Sequence, residues 1–275
     1  MNLQVLSQHT AAVIDSVPFR DERYMRNAHL ESWCPTFGDE YALLVAKKTD
    51  SDERQITELF RDRTEGLRVY QVTNPDDRFS GHFLQASWSI VINSVLRPSH
   101  TSNILVHETG HAVVVNLSNY FTAGRTEPII HQNGLDKQII GASVNVKDAC
   151  TPNFSGIWLN EALIDLSGFR TNEQRYEVGY ITGVILLSTL FDNIPNLETT
   201  TYESAFLTGD DTRAIDAIND AVYPGWTEEM GKHMYFMANN RPSDDGYNPI
   251  EEIESTVPEH LRTTYGKYWQ QFAHN

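Results

Sequence analysis

Only two cysteines, Cys34 and Cys150, occur in 275 residues, and neither has a second cysteine three positions away. That excludes a thiolate zinc knuckle, and a single pair makes no disulfide framework. Free thiols suit a reducing compartment, and a cytoplasmic protein is expected. Basic residues are scarce: Lys and Arg number 21 against 37 Asp and Glu, a formal charge of −16. Nucleic acid and anionic membrane both bind basic surfaces, so neither is expected as a partner. The longest apolar segment, around Val178 to Phe191, is interrupted by Gly179, Tyr180, Thr182, Gly183, Ser188 and Thr189. It is too short to span a bilayer. The first residues, Met1 to His9, lack the basic start and sustained apolar core of a secretory signal. No repeat or low-complexity tract stands out, and a chain of this length with 40% hydrophobic residues can bury a large core.

Against these absences stands one dense motif, His107-Glu108-Thr109-Gly110-His111, led in by Ile104-Leu105-Val106 and followed by Ala112-Val113-Val114-Val115. Residues four apart lie on one face of a helix, so both imidazoles can close on a single metal ion with the Glu108 carboxylate beside it. The flanks make this helix apolar nearly all round, which predicts burial. Two imidazoles and a carboxylate inside such a helix are costly unless paired or bound to metal. A satisfied core histidine pair is the competing explanation. Zinc chemistry on this motif needs a third protein ligand and an open fourth position. The metzincin form, with Gly three residues and His six residues past the second His, is excluded, because Val114 and Leu117 occupy those positions.

Downstream lies Trp158-Leu159-Asn160-Glu161-Ala162-Leu163-Ile164-Asp165. Asn-Glu-Ala-x-x-Asp after HExxH resembles the third-ligand helix of the gluzincin, thermolysin-like zinc metallopeptidases. The resemblance implies Glu161 as the third zinc ligand and Asp165 as a carboxylate holding one histidine ring. It leaves Asn160 as a residue that orients the other ring. It also implies one zinc per chain and a peptide or protein substrate. Spacing is compatible, since Glu161 and Asp165 are four apart on one face and a ligating imidazole normally donates its free N–H to a carboxylate or carbonyl. An ordinary amphipathic helix with an acidic edge is the alternative. Fifty residues separate His111 from Glu161, longer than the thermolysin-like interval. The resemblance therefore covers two short motifs and their order, and supports no named family within the clan.

The resemblance implies Glu108 as general base, taking a proton from water and delivering it to the leaving amine. Tyr176 and Tyr180 follow the third-ligand helix most closely and are the candidate oxyanion donors, with a core role the alternative for each. His233 and Tyr223 lie farther along, and Arg262-Thr263-Thr264-Tyr265 has an Arg-x-x-Tyr form that a surface pair explains equally well. Two other functions stay open. One is a zincin acting on a non-peptide substrate. The other is an inactive, zinc-stapled binding module, with His131 or His100 closing the site.

The pattern predicts an α+β chain, and the resemblance implies a zincin-like fold and a single catalytic unit over 1–275. Residues 1–38 read as irregular, Tyr41 to Ala46 as a buried strand, Asp52 to Glu65 as a helix stopped by Gly66, and Leu67 to Thr73 as a strand. Ala86 to Asn93 reads as a strand opposite the HExxH helix and, by the resemblance, as the edge of a substrate cleft. An N-terminal α/β lobe spans about 39–120 and a long loop about 118–157. A mainly helical lobe over about 158–275 includes helices from Thr171, over Asp211 to Val222, over Thr227 to Met237 and over Glu259 to Phe272.

Overall fold

The computed structural model describes residues 24–73, 80–94, 98–118, 129–140, 153–171, 180–239 and 249–272. The chain divides into two compact units, Met1–Val114 with Ser167–Glu177, and Val115–Leu166 with Val178–Asn275. Mixed sheet and helices make it α+β, and no helix among the described residues is long and apolar enough to cross a membrane.

In the first unit, β1 (Tyr24–Arg26), α1 (Ala28–Glu31), α2 (Cys34–Thr49) and α3 (Glu53–Glu65) precede β2 (Arg68–Val72), β3 (Gly81–Leu84), β4 (Ser89–Asn93) and α4 (Pro98–Val113). The sheet order is β1-β2-β4-β3, with β2 and β4 parallel and both edges antiparallel. Every residue of β4 is buried, as its continuous apolar run requires of a central strand. Leu30, Cys34, Leu67, Val69, Phe83, Ile90, Ile92, Leu105 and Ala112 form one core, with Phe37, Trp88 and Ile104 packed against it.

Three expectations for this unit are corrected. Tyr41 to Ala46 is not a strand but the middle of α2. Its buried positions Cys34, Gly38, Tyr41, Ala42, Val45, Ala46 and Thr49 recur at helical spacing. Leu43, which a strand would bury beside Tyr41 and Val45, is 55% exposed. The short apolar window hid the period. Residues 24–38 are regular, containing β1, α1 and the start of α2, while 1–23 lie outside the described residues. The strand expected from Ala86 begins only at Ser89. Gln85–Ser87 is a 3-10 turn and Trp88 is left-handed at φ 49°, its indole N–H donating to the Arg63 carbonyl at 2.8 Å and its ring edge-on to Phe83. That strand is central, and the edge is β3.

In the second unit, β5 (Asn116–Ser118), β6 (Ile129–Asn133) and β7 (Asp136–Ile140) form an antiparallel sheet. Here the expected loop over 118–157 is corrected in part. Ile129 pairs with Ile140 and Asn133 with Asp136 around a Gly134-Leu135 turn, and Gly134 has φ 56°. Gly at the first position of a two-residue hairpin turn supplies that conformation without steric penalty. The helices are α5 (Phe154–Thr171), α6 (Ile181–Asn193), α7 (Leu197–Tyr202) with a π-helical continuation Glu203–Thr208, α8 (Asp211–Ala221), α9 (Trp226–Asn239), α10 (Pro249–Thr256) and α11 (Glu259–Phe272). Helix α5 runs past Gly168, which does not stop it. The expected helix from Thr171 begins at Ile181 instead, and residues 172–179 lie outside the described residues.

Glu31 ties β1, α1 and β2 together. Its carboxylate accepts from Arg26 Nε and Nη2, each at 2.8 Å, and from the Val69 N–H at 3.1 Å. Partial burial pushes this carboxyl up, but the Arg26 and Val69 hydrogen bonds and the Arg26 charge outweigh it and hold it below the usual carboxylate range. A carboxyl depressed by folding contributes stability above its unfolded value and loses it as pH falls through the folded one. Urea melts of wild type and Glu31→Gln should therefore differ at pH 7 and converge as pH falls through the depressed folded-state value; a constant gap would refute the linkage. Cys34 offers a second check. Burial pushes its thiol up to about 12, against a weaker pull from the Thr109 hydroxyl. In a Cys150→Ser background a disulfide reagent should leave Cys34 unmodified until denaturant is added, and prompt labelling of the native protein would contradict the packing.

Candidate metal centre

Helix α4 is held from several sides within its own unit. The Tyr41 hydroxyl donates to the Val106 carbonyl at 3.3 Å, and the fully buried Thr109 donates its hydroxyl to the Leu105 carbonyl at 2.7 Å. The Arg63 guanidinium donates to the Val113 carbonyl while lying over the Phe60 ring. A cation on the last carbonyls of a helix satisfies an orphan acceptor and opposes the negative end of its dipole. Burial pulls Arg63 down to about 10, which still leaves it charged at neutral pH.

On this helix His107 and His111 turn their rings edge to face, with centroids 4.9 Å and Nε2 atoms 3.1 Å apart. Glu108 between them is buried. Ligand atoms of His107, His111 and Glu161 all lie within 4.8 Å of one another, and all three residues are half-buried. This group could hold a metal ion. The donor set fits zinc, which takes His nitrogen and carboxylate oxygen. Two nitrogens 3.1 Å apart would subtend about 98° at an ion ~2.05 Å from each, an angle a tetrahedral site accommodates. Among the described residues the group has three members, so no fourth protein ligand closes it. His100 is exposed and outside it, and the His131 side chain lies outside the description.

Helix α5 is fixed around Glu161 within the second unit. The Trp158 indole donates to the Thr227 carbonyl at 2.8 Å and stands edge-on to Trp226, and the Ser155 hydroxyl donates to that of Thr227. Asn160 bonds to the β6–β7 turn. Its oxygen accepts from the Leu135 N–H at 3.3 Å and its NH₂ donates to Asn133 Oδ1 at 3.0 Å, so the β6–β7 turn claims the amide. The same turn reaches the chain just past α4. The Gly134 N–H donates to the Val115 carbonyl and the Asn133 NH₂ to Asn116 Oδ1. Asn133 was invisible as a site residue, although Asn-Gly between two apolar-ended runs is a hairpin signal.

Asp165 is 2% exposed, and its Oδ2 accepts the Tyr180 N–H at 2.6 Å. Tyr180 itself directly precedes α6 and is 45% exposed. Tyr176 lies outside the described residues. Tyr223 donates its phenol proton to Glu229 at 2.7 Å. The Arg262 guanidinium donates to the Val257 carbonyl, and Tyr265 is buried in α11.

At the sheet edge the Asn93 N–H donates to the Ser80 carbonyl at 2.9 Å, in line with the pairs His82–Val91 and Leu84–Ser89. Antiparallel pairs alternate, so the main-chain groups of Gly81 and Phe83 point away from β4.

No protein-family model matches the chain, and neither a curated protein nor a solved structure matches it.

Metal affinity tests the part of Glu161 directly. Zinc titration of Glu161→Ala against a competing chelator should show binding weakened by about 100-fold or more, given that even outer partners of ligands are worth 10–100-fold. Unchanged affinity would remove Glu161 from the centre.

Proposed function

We propose that this protein is a zinc-dependent metallopeptidase of gluzincin type with a zincin-like fold, holding one zinc through His107, His111 and Glu161 and hydrolysing peptide bonds. The observation that carries the reading is the convergence of those three ligand atoms within 4.8 Å around a helix that also presents Glu108. A bound zinc would polarise the scissile carbonyl and acidify a water beside it.

The chain's own groups supply the rest. The Glu108 carboxylate, buried and on the same helix as two ligands, takes the proton from water and carries it to the leaving amine. Arg63 and Tyr41, by fixing α4, hold that carboxylate in place. The outward main chain of Gly81 and Phe83 can pair with an extended peptide, which positions a backbone without reading its side chains. Tyr180 and Tyr176 remain the candidate oxyanion donors, and a Phe at the acting position would lower kcat with zinc retained.

Glu108→Gln tests the reading. The amide is nearly isosteric but cannot accept the proton. Cleavage of a peptide library should fall by about 10²–10⁴-fold while zinc content and melting temperature stay at wild-type values. Cleavage at the wild-type rate would transfer the protein to the non-peptide or zinc-staple alternatives.

A further inference from the structure

Helix α4 and strand β3 meet at Gly81 more closely than a residue with a side chain allows. A Cβ on Gly81 would stand 2.3 Å from Ile104 Cγ2, 3.2 Å from the Val91 carbonyl oxygen and 3.6 Å from Glu108 Oε1. The first contact is an overlap, whereas the last is ordinary packing. Ile104 cannot swing aside, because a β-branched side chain in a helix has one strongly preferred rotamer. It also packs against the core that holds Leu105, Ile90 and Ile92. Relief requires α4 and β3 to separate. Glu108 follows Ile104 by four residues on the same helix face and would move with it. Gly81, like Phe83, also points its main chain away from β4, toward any added strand.

We propose that Gly81 is a positioning residue for Glu108: its missing side chain seats Ile104 against β3 and so sets the distance between the Glu108 carboxylate and the outward main chain of the edge strand. The catalytic consequence rests on the metallopeptidase reading; the seat does not.

The test compares Gly81→Ala, Ile104→Ala and the pair in the full-length protein. It reads the Glu108 position relative to β3 in crystals, the zinc content, and kcat and KM on a peptide that wild type cleaves. In Gly81→Ala, Glu108 should shift by ~1 Å and kcat should fall about 10–100-fold, the scale of loss for such misplacement, with zinc content and KM nearly unchanged. The pair should return to the Glu108 position and kcat of Ile104→Ala. If Gly81→Ala melts earlier but keeps the wild-type Glu108 position and kcat, the glycine is only structural and the proposal is wrong. If Gly81→Ala does not fold, the pair decides. A pair that also fails to fold, or that folds with zinc yet stays about 10-fold below Ile104→Ala, overturns the proposal, since the new methyl would then act without Ile104. If wild type cleaves no peptide, the functional reading falls on its own, and the Glu108 displacement still decides the role of Gly81.

Discussion

A helix enclosed by protein cannot carry two imidazoles and a carboxylate unless something answers their polarity, and this constraint organises the first unit. Helix α4 sends Leu105 and Ala112 into the core that contains Ile90, Ile92 and Val69, and leaves Val113 and Val114 fully buried as well. Side chains from neighbouring helices bond its backbone. Tyr41 from α2 meets the Val106 carbonyl and Arg63 from α3 meets that of Val113. Both donors act on the backbone next to the motif. The position of the histidines is therefore set by the α2–α3 pair as much as by the motif itself.

The second unit solves a related problem by a different device. Residues directly after α4 and residues of α5 are joined through one tight turn. Gly134 and Asn133 bond to Val115 and Asn116, while Leu135 and Asn133 bond to Asn160. Asn160 is 1% exposed, and a buried amide is stabilising only when its donor and acceptor are both used. The turn meets that condition, and in doing so it fixes the helix at the residue beside Glu161. Asp165, a turn further on, spends one oxygen on the Tyr180 N–H, so the chain entering α6 is anchored to the same helix.

The motifs were readable because their chemistry is local. Two histidines four apart and a Glu-x-x-x-Asp pair need only helical periodicity to be placed on faces. What the sequence concealed depends on long-range contact. Tyr41 and Arg63 reach backbone carbonyls 65 and 50 residues away, and no pattern in a single sequence marks such pairs. Tyr41 to Ala46 reads as a strand because six apolar residues fit either period, and only the exposed Leu43 distinguishes them. The β6–β7 hairpin is a different kind of miss. Its Asn-Gly signal is present, but the strands it joins, Ile129–Asn133 and Asp136–Ile140, are short and carry polar residues between their apolar ends. Gly81 stands between Ser80 and His82 with nothing local to show that Ile104 lies against it.

Packing links the core to the site more tightly than the hydrogen bonds alone suggest. The ion pairs among the described residues are largely exposed, such as Arg54–Glu58 and Lys267–Asp192, and exposed pairs contribute little to stability. With a formal charge of −16, the surface also repels itself. Stability must come mainly from apolar burial, and in the first unit that burial includes Ile104 and Leu105, within one turn of His107 and Glu108. Protein interiors are close-packed and transmit strain rather than absorb it. A change in core volume behind α4 is therefore felt at His107 and His111 as a shift of the helix. The core that folds this unit and the frame that aims its histidines are the same set of contacts, so neither can be altered without disturbing the other.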